Sequence, residues 1–465
     1  MRHLFPTSVV IAALVIAAPA TADTLPDAIA SAYASNPEVA AARARLRQVD
    51  EGVPLAASAM RPALDVEGDF TQALSERVGD EGRLFRGGVV LRQPIYEGGR
   101  VRANISAAQA RIASARATLR ATELAVITDT VTAYSDVLRS EALVRLNEGQ
   151  VKVLEQQLRA SRDRFEVGDL TRTDVAQSEA RLAAASANLQ AARAQLSMSR
   201  QAYRRLVGRE PQNLAPLPPL PLIPQTAEEA RDSALISNPS LAASRLTERA
   251  AAEDVRAAKA GRGPSVGLFA GARYVQGSGD LSGLTGFSPD LGVSAGMPLF
   301  TGGLIASRVR QAQARQSEAL ERIAQSERLV VESAIDNWTL VQTSKAVIES
   351  AKAQVEANAL AAEGVRQENL VGTRDILDVL NAEQELLNSR VSLVQAERDR
   401  YVNTYRLFQS IGDIETVLQG VPVGRHDAEA NAARVSGKWW SEFGYDPDPR
   451  EDRIRNTAPL MGPQQ

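Results

Sequence analysis

The 465-residue chain contains no cysteine, and that absence removes disulfide scaffolds, thiol nucleophiles and thiolate metal sites together. It also removes the residue on which an amino-terminal lipid anchor is built. Histidine is almost as scarce. His3 lies in an apolar leader and His426 in the tail, so no cluster exists to hold a metal or to serve a Ser-His relay. No Gly-rich Lys-Ser/Thr phosphate loop occurs, and no convergent acid-base pair can be read. The expectation is a protein without catalysis, cofactor or resident metal. Aromatic residues make up only 4%, and the net charge is −3 with arginines scattered along helix-like stretches. Nucleic-acid binding therefore has no electrostatic footprint.

Long apolar runs are also missing, apart from the leader. Met1-Arg2-His3 followed by Val9, Ile11, Leu14 and Val15 reads as a signal peptide over 1–22. Ala20-Thr21-Ala22 supplies the small-x-small cleavage pattern, so the mature chain is expected to start near Asp23. No later window offers the roughly 20 apolar residues that a membrane-spanning helix needs.

What is present is written twice. Thr24, Ser35-Asn36-Pro37, Arg43, Glu51 and Pro62 recur 202 residues later as Thr226, Ser237-Asn238-Pro239, Arg245, Glu253 and Pro264. At an offset of 204, Gln93-Pro94-Ile95-Tyr96-Glu97-Gly98-Gly99 answers Met297-Pro298-Leu299-Phe300-Thr301-Gly302-Gly303, and Gly168, Asp174-Val175 and Gly208 answer Gly372, Asp378-Val379 and Gly412. Such duplication defines the architecture before any element is assigned. The first repeat spans 23–210, a Pro-rich linker 211–225 and the second repeat 226–418. The tail 419–465, rich in Asp, Arg, Pro and Asn, is expected to be poorly ordered; its Trp439-Trp440 pair could serve as an interfacial anchor.

Each repeat opens with a short helix and a second one, which in the first repeat runs from Pro37 to about Met60. Period-two alternation follows: Leu64, Val66, Gly68 and Phe70 point one way and Asp65, Glu67 and Asp69 the other. Strands are expected over 62–72 and 87–96, then over 264–275 and 289–300. Each is about 9 to 11 residues, the length of a tilted membrane strand. An ordinary half-buried hairpin has the same alternation.

The helices decide between these readings. Over about 100–165 and 304–370 there is no proline and almost no glycine, which makes rods of roughly 100 Å. Val137, Val144, Val151, Leu158 and Phe165 keep seven-residue spacing, as do Val341, Ile348, Val355, Ala362 and Asn369. The return helices, 171–208 and 374–411, carry Val175, Leu182, Leu189, Leu196 and Tyr203, and Leu380, Leu387, Val394, Tyr401 and Phe408. A sustained heptad imposes a left-handed supercoil, so each repeat is an antiparallel coiled-coil hairpin turning near Gly168 or Gly372. A four-stranded sheet has two unpaired edges, which lipid does not tolerate, so closure requires several copies.

These junctions, tips and duplicated order resemble the TolC family of outer-membrane efflux proteins over about Thr24 to Leu418. The tips concerned are Phe165-Glu166-Val167-Gly168 and Val371-Gly372-Thr373-Arg374, the latter running on through Asp375-Ile376-Leu377-Asp378-Val379-Leu380-Asn381-Ala382. The resemblance implies a mainly α fold with a small β part: a TolC-like α-helical barrel in the periplasm joined to an outer-membrane β-barrel, assembled as a homotrimer with four strands per protomer. It implies a passive channel serving efflux or type I secretion, with a periplasmic adaptor and an inner-membrane pump of ABC, RND or MFS type as partners, and outer-membrane lipid around the barrel. Carried over residue by residue, Asp378 would form a ring of carboxylates at the entrance and a possible weak cation site. Asn381 stands where the family has a second aspartate. Thr173, Asp174 and Arg374 match residues that link neighbouring coils, with Asn369 in place of a tyrosine. Val167, Gly168, Val371 and Gly372 match the adaptor-docking tips. A periplasmic adaptor or a structural coiled-coil protein is the competing reading; neither explains the strands.

Overall fold

Short helices capped by polar side chains open each repeat. The computed structural model describes residues 23–72, 82–279, 281–424 and 426–436; the leader and the tryptophan pair fall outside them. In the first repeat α1 (Leu25–Ser35), α2 (Pro37–Asp50) and α3 (Gly52–Ser58) precede β1 (Ala63–Gln72), β2 (Gly82–Glu97), α4 (Arg100–Glu166) and α5 (Arg172–Val207). The second repeat comprises α6 (Ala227–Ser237), α7 (Pro239–Ala260), β3 (Ser265–Gly279), β4 (Gly286–Gly296), α8 (Leu304–Leu370) and α9 (Ile376–Ile411). Two short helices, α10 (Ile414–Val417) and α11 (Ala430–Ser436), follow.

The recurring Ser-Asn-Pro has a local cause. Asn36 caps α2 by accepting the N–H of Glu38 at 2.8 Å, and Asn238 caps α7 through the N–H groups of Ser240 and Leu241. Proline follows at the first helical position, where its missing N–H costs nothing. Each asparagine also donates to the end of its own return helix, Asn36 to Leu206 O at 3.2 Å and Asn238 to Ser410 O at 2.8 Å. The motif thus sets the helix start and fastens it to the other end of the repeat.

The helix expected from Pro37 to about Met60 is two helices, α2 and α3, meeting at Glu51. Pro54 cannot donate to the preceding turn; its counterpart in the second repeat, Arg256, can, and α7 runs unbroken over 22 residues.

α4 and α8 are each 67 residues long, about 100 Å of rod. The heptad positions line the seam, with Val144, Val151, Val175, Leu182, Leu196, Val355 and Val394 half-buried. Val137, Leu158, Leu189, Tyr203, Val341, Ile348, Ala362, Leu380, Leu387, Tyr401 and Phe408 are all buried, whereas Phe165, at the hairpin end, is exposed. Ion pairs lace α4 to α5: Arg162–Glu179 at 2.7 Å, Arg193–Glu148 at 2.9 Å and Arg200–Glu141 at 3.1 Å. Arg398 on α9 reaches Asp136 on α4 at 2.9 Å, so the two repeats are joined side by side.

Midway along the rods, the largest apolar cluster gathers Leu25, Ile29, Tyr134, Tyr203 and Phe408, with linker residues Leu214, Leu217, Leu220 and Ile223 packed on it. The Tyr134 hydroxyl donates to Ala215 O at 2.7 Å, and the equivalent Trp338 indole donates to Pro224 O at 3.1 Å. Both bonds hold the extended linker. Asp23 is buried and takes the Tyr203 hydroxyl at 2.7 Å and the Arg209 guanidinium. Burial, and then the Asp23 carboxylate, push the Tyr203 phenol far above its ordinary value.

The tail corrects an expectation. Val421 and Val423 pack against this cluster, the His426 N–H donates to the Tyr33 hydroxyl, and α11 is tied to α2 by Asn431 donating to the buried Asp50 at 2.7 Å. Residues 419–424 and 426–436 are therefore bound to the body, through two valines that enter the apolar cluster and through the polar contacts of His426 and Asn431. Residues 437–465 lie outside the described ones.

Candidate functional site

The four strands form one antiparallel sheet in the order β1-β2-β3-β4, with β2 and β3 pairing across the two repeats. β2 begins at Gly82 rather than 87, because residues 83–86 pair with both β1 and β3. β4 runs Gly286–Gly296, not 289–300. It carries Pro289, which an edge strand tolerates, and beyond Gly296 it has no partner since β3 starts at Ser265. β3 extends to Gly279 rather than 275.

The register puts one unbroken apolar face across all four strands. Leu64 lies opposite Leu91, Leu91 opposite Ala270 and Ala270 opposite Leu291; Val66 opposes Val89, and Tyr274 opposes Phe287. Val66, Leu291, Leu64, Phe287 and Val293 are more than two-thirds or nearly two-thirds exposed. A contiguous exposed apolar face of this kind marks contact with a partner or a membrane. The other face is charged, with Arg86 pairing Asp69 at 3.2 Å and Arg92 pairing Asp65 and Glu67. Among the described helices, none is long and apolar enough to cross a membrane. The strands at one end of the rods carry the apolar surface.

At the other end are two tips with one geometry. α4 closes through Val167 and Gly168, α8 through Val371 and Gly372, and both glycines have φ of +81°. A Cβ at either would meet nothing within 4 Å, so the left-handed backbone alone requires glycine. Val167 and Val371 stand 81% and 76% exposed, as apolar knobs at the extremity of the molecule.

Asp174 and Asp378 occupy equivalent positions but have different partners. Asp174 accepts the N–H and hydroxyl of Thr171 at 2.8 and 2.7 Å, completing a capping box. The Thr171 hydroxyl and N–H hold its carboxyl below the usual value. In the second tip the N-cap is Asp375, which makes no capping side-chain bond, and Asp378 instead faces Arg374 at 3.4 Å. Arg374 also donates to Glu368 at 2.8 Å, and these two carboxylates, Glu368 first, raise the guanidinium above its ordinary value. Its backbone carbonyl accepts the side-chain amide of the buried Asn369 at 2.8 Å. Asn369, Arg374 and Asp378 are thus brought together; Thr173 stands exposed on the first turn of α5, apart from them. The return helix starts at Ile376 rather than 374, leaving Arg374 free of helix geometry to reach both acids.

Residues missed by sequence reasoning join the two tips. Asn381 accepts Arg181 of α5 at 2.8 Å. Within the second hairpin, Arg366 of α8 pairs with the buried Glu383 of α9. Beneath them Leu154, Ala185, Ile376, Val379 and Leu380 form one apolar cluster drawn from both hairpins. No signal along the chain marks Arg181, whose partner lies 200 residues away. Arg366 and Glu383 sit on facing heptad helices, and a search for opposite charges flanking that seam would have found them.

The outer membrane efflux protein family matches residues 28–209 and 230–413, one segment per repeat. The outer membrane efflux protein BepC of Brucella suis is 31% identical over 422 residues, covering 90% of this chain and 92% of that protein. The outer membrane protein TolC of Vibrio cholerae is 25% identical over 438 residues, covering 91% and 100%. In fold, the Campylobacter jejuni CmeC outer membrane channel superposes with a TM-score of 0.75 at 18% identity, over 89% of each chain.

Proposed function

We propose, on the premise that this chain belongs to the outer membrane efflux protein family, that it is one protomer of a trimeric exit duct whose sheets close into a barrel in the outer membrane. The observation that carries this reading is the sheet. It has an apolar face across four strands and free edges on β1 and β4. Lipid tolerates such a face only when every edge is paired, and three copies joined β4 to β1 give 12 strands, within the range of bacterial barrels. The rods, about 100 Å long, then extend the duct into the periplasm.

The duct is read as passive, since relatives are named as efflux and secretion proteins, with energy coming from an inner-membrane pump of ABC, RND or MFS type reached through a periplasmic adaptor. The exposed Val167 and Val371, next to the Gly168 and Gly372 turns, are the surfaces on which the adaptor docks. The closed entrance lies at Asp378 and Asn381. Arg374 holds its tip by bridging Glu368 and Asp378, and Arg181 on Asn381 ties one hairpin to the other. Opening separates the hairpins at the Arg181–Asn381 bond and loosens the tip that Arg374 braces.

Fractionation tests the reading. The expected result is a heat-dissociable trimer in the outer membrane that forms channels in planar bilayers. A soluble or inner-membrane protein sinks it. Cross-linking in cells, followed by identification of the inner-membrane protein captured, reads the pump type and with it the class of cargo.

A further inference from the structure

The charged face of the sheet is sorted by strand. Parity of the register puts Asp65, Glu67 and Asp69 of β1 on that face, with Arg86 and Arg92 of β2, Arg273 of β3 and Asp290 of β4. Among the described residues of this face between the Pro94 bulge and the far end of the sheet, the edge strands thus carry only carboxylates and the central strands only guanidiniums; Glu97 of β2, beyond the bulge and opposite Ser265, is paired with Arg100. Arg86 and Arg92 are paired to β1 within the protomer, whereas Arg273 and Asp290 have no ion-pair partner among the described residues. Glycines make the room. Arg273 lies opposite Gly88, and a Cβ added at Gly271 would come within 2.6 Å of the Asp290 carboxylate. Glu67, Asp69, Arg86, Gly88, Arg273 and Asp290 surround a shallow cavity of about 280 Å³.

We infer that this face is a selectivity element that sorts charge around the barrel lumen, and that the unpaired Arg273 and Asp290 set its balance. The inference rests on the trimeric duct, since the face becomes a lumen only on closure. Joining β4 of one copy to β1 of the next places Asp290 beside Asp65, Glu67 and Asp69 of its neighbour, so three acidic seams alternate with three strips of arginine. A wall of one sign repels solutes of that sign along the whole passage. An alternating wall gives each end of a mixed-charge solute an attractive strip. The class admitted is therefore zwitterions and peptides with charges of both signs, and small ions of either sign.

The test is the reversal potential of reconstituted channels in a potassium chloride gradient at low ionic strength, where screening reaches least. The tip is common to all variants and contributes equally. Arg273→Gln is expected to shift the potential toward potassium preference, Asp290→Asn toward chloride, and Arg273→Lys to leave it at the wild-type value. Channels of normal conductance whose potential none of these changes moves would overturn the inference and leave the duct standing. Folded trimers that conduct nothing would overturn both. Circular dichroism and the heat-dissociable band show that each variant has assembled, and a variant that has not is replaced by Arg273→Met or Asp290→Ser, for which the same shifts are expected.

Discussion

Two aspartates at the third position of a helix, 204 residues apart, show how partners and not position assign a role. Asp174 closes a capping box as its N3 residue, with Thr171 as the N-cap; such a device is worth roughly 0.3–1.5 kcal/mol. Asp174→Ala is therefore expected to destabilise its tip toward the lower end of that range, since the Thr171 cap bond remains, read as faster hydrogen exchange over the first turn of α5, while Asp378→Ala leaves the exchange of α9 nearly unchanged. The pH dependence follows from the lowered carboxyl. Its stabilisation is full above the ordinary aspartate value of about 3.9 and is lost as pH falls through the lowered one. Asp378 has a different consequence, through Arg374. Arg374→Ala frees Glu368 and Asp378 of their shared cation, and single-channel conductance should rise above wild type; an unchanged conductance would count against this entrance. Asp378 and Arg374 were legible as residues of interest. That Asn381 takes Arg181 was not, because nothing local places α5 beside α9.

At the scale of elements, periodicity and punctuation were enough for most of the chain. The heptads run through both hairpins and line the seam, buried or half-buried except at Phe165, and the glycines at the turns stand where φ is positive. Gly168→Ala and Gly372→Ala should each cost on the order of 1 kcal/mol, seen as local opening of the tip by hydrogen exchange with little change in the midpoint of global unfolding. Strand ends were read less well. Alternation continues past any chosen boundary, and pairing with neighbours decides where a strand stops: β2 reaches out to Gly82 because β1 and β3 are both there to bond it. The break between α2 and α3 turned on one proline whose counterpart is arginine.

For the whole molecule, the exposed apolar residues of α8 are the consequence of seeing one protomer. Leu340 and Val347, seven residues apart, are each close to half exposed beside a buried heptad seam, a line that a neighbouring copy covers. Val347→Asp should leave the helical content of the chain intact and abolish the trimer, as read by circular dichroism and chemical cross-linking. A trimer of unchanged heat stability would move the contact elsewhere. The duplication, the rods, the seams and the apolar strand face were determined by the sequence itself, since they follow from period, length and the preferences of single residues. Tertiary structure alone decided which acids meet which arginines, that the tail binds α2, and that between the Pro94 bulge and the far end of the sheet the carboxylates of the charged face gather on edge strands and the guanidiniums on central ones. These depend on contacts between residues far apart in the chain, and no local propensity encodes them.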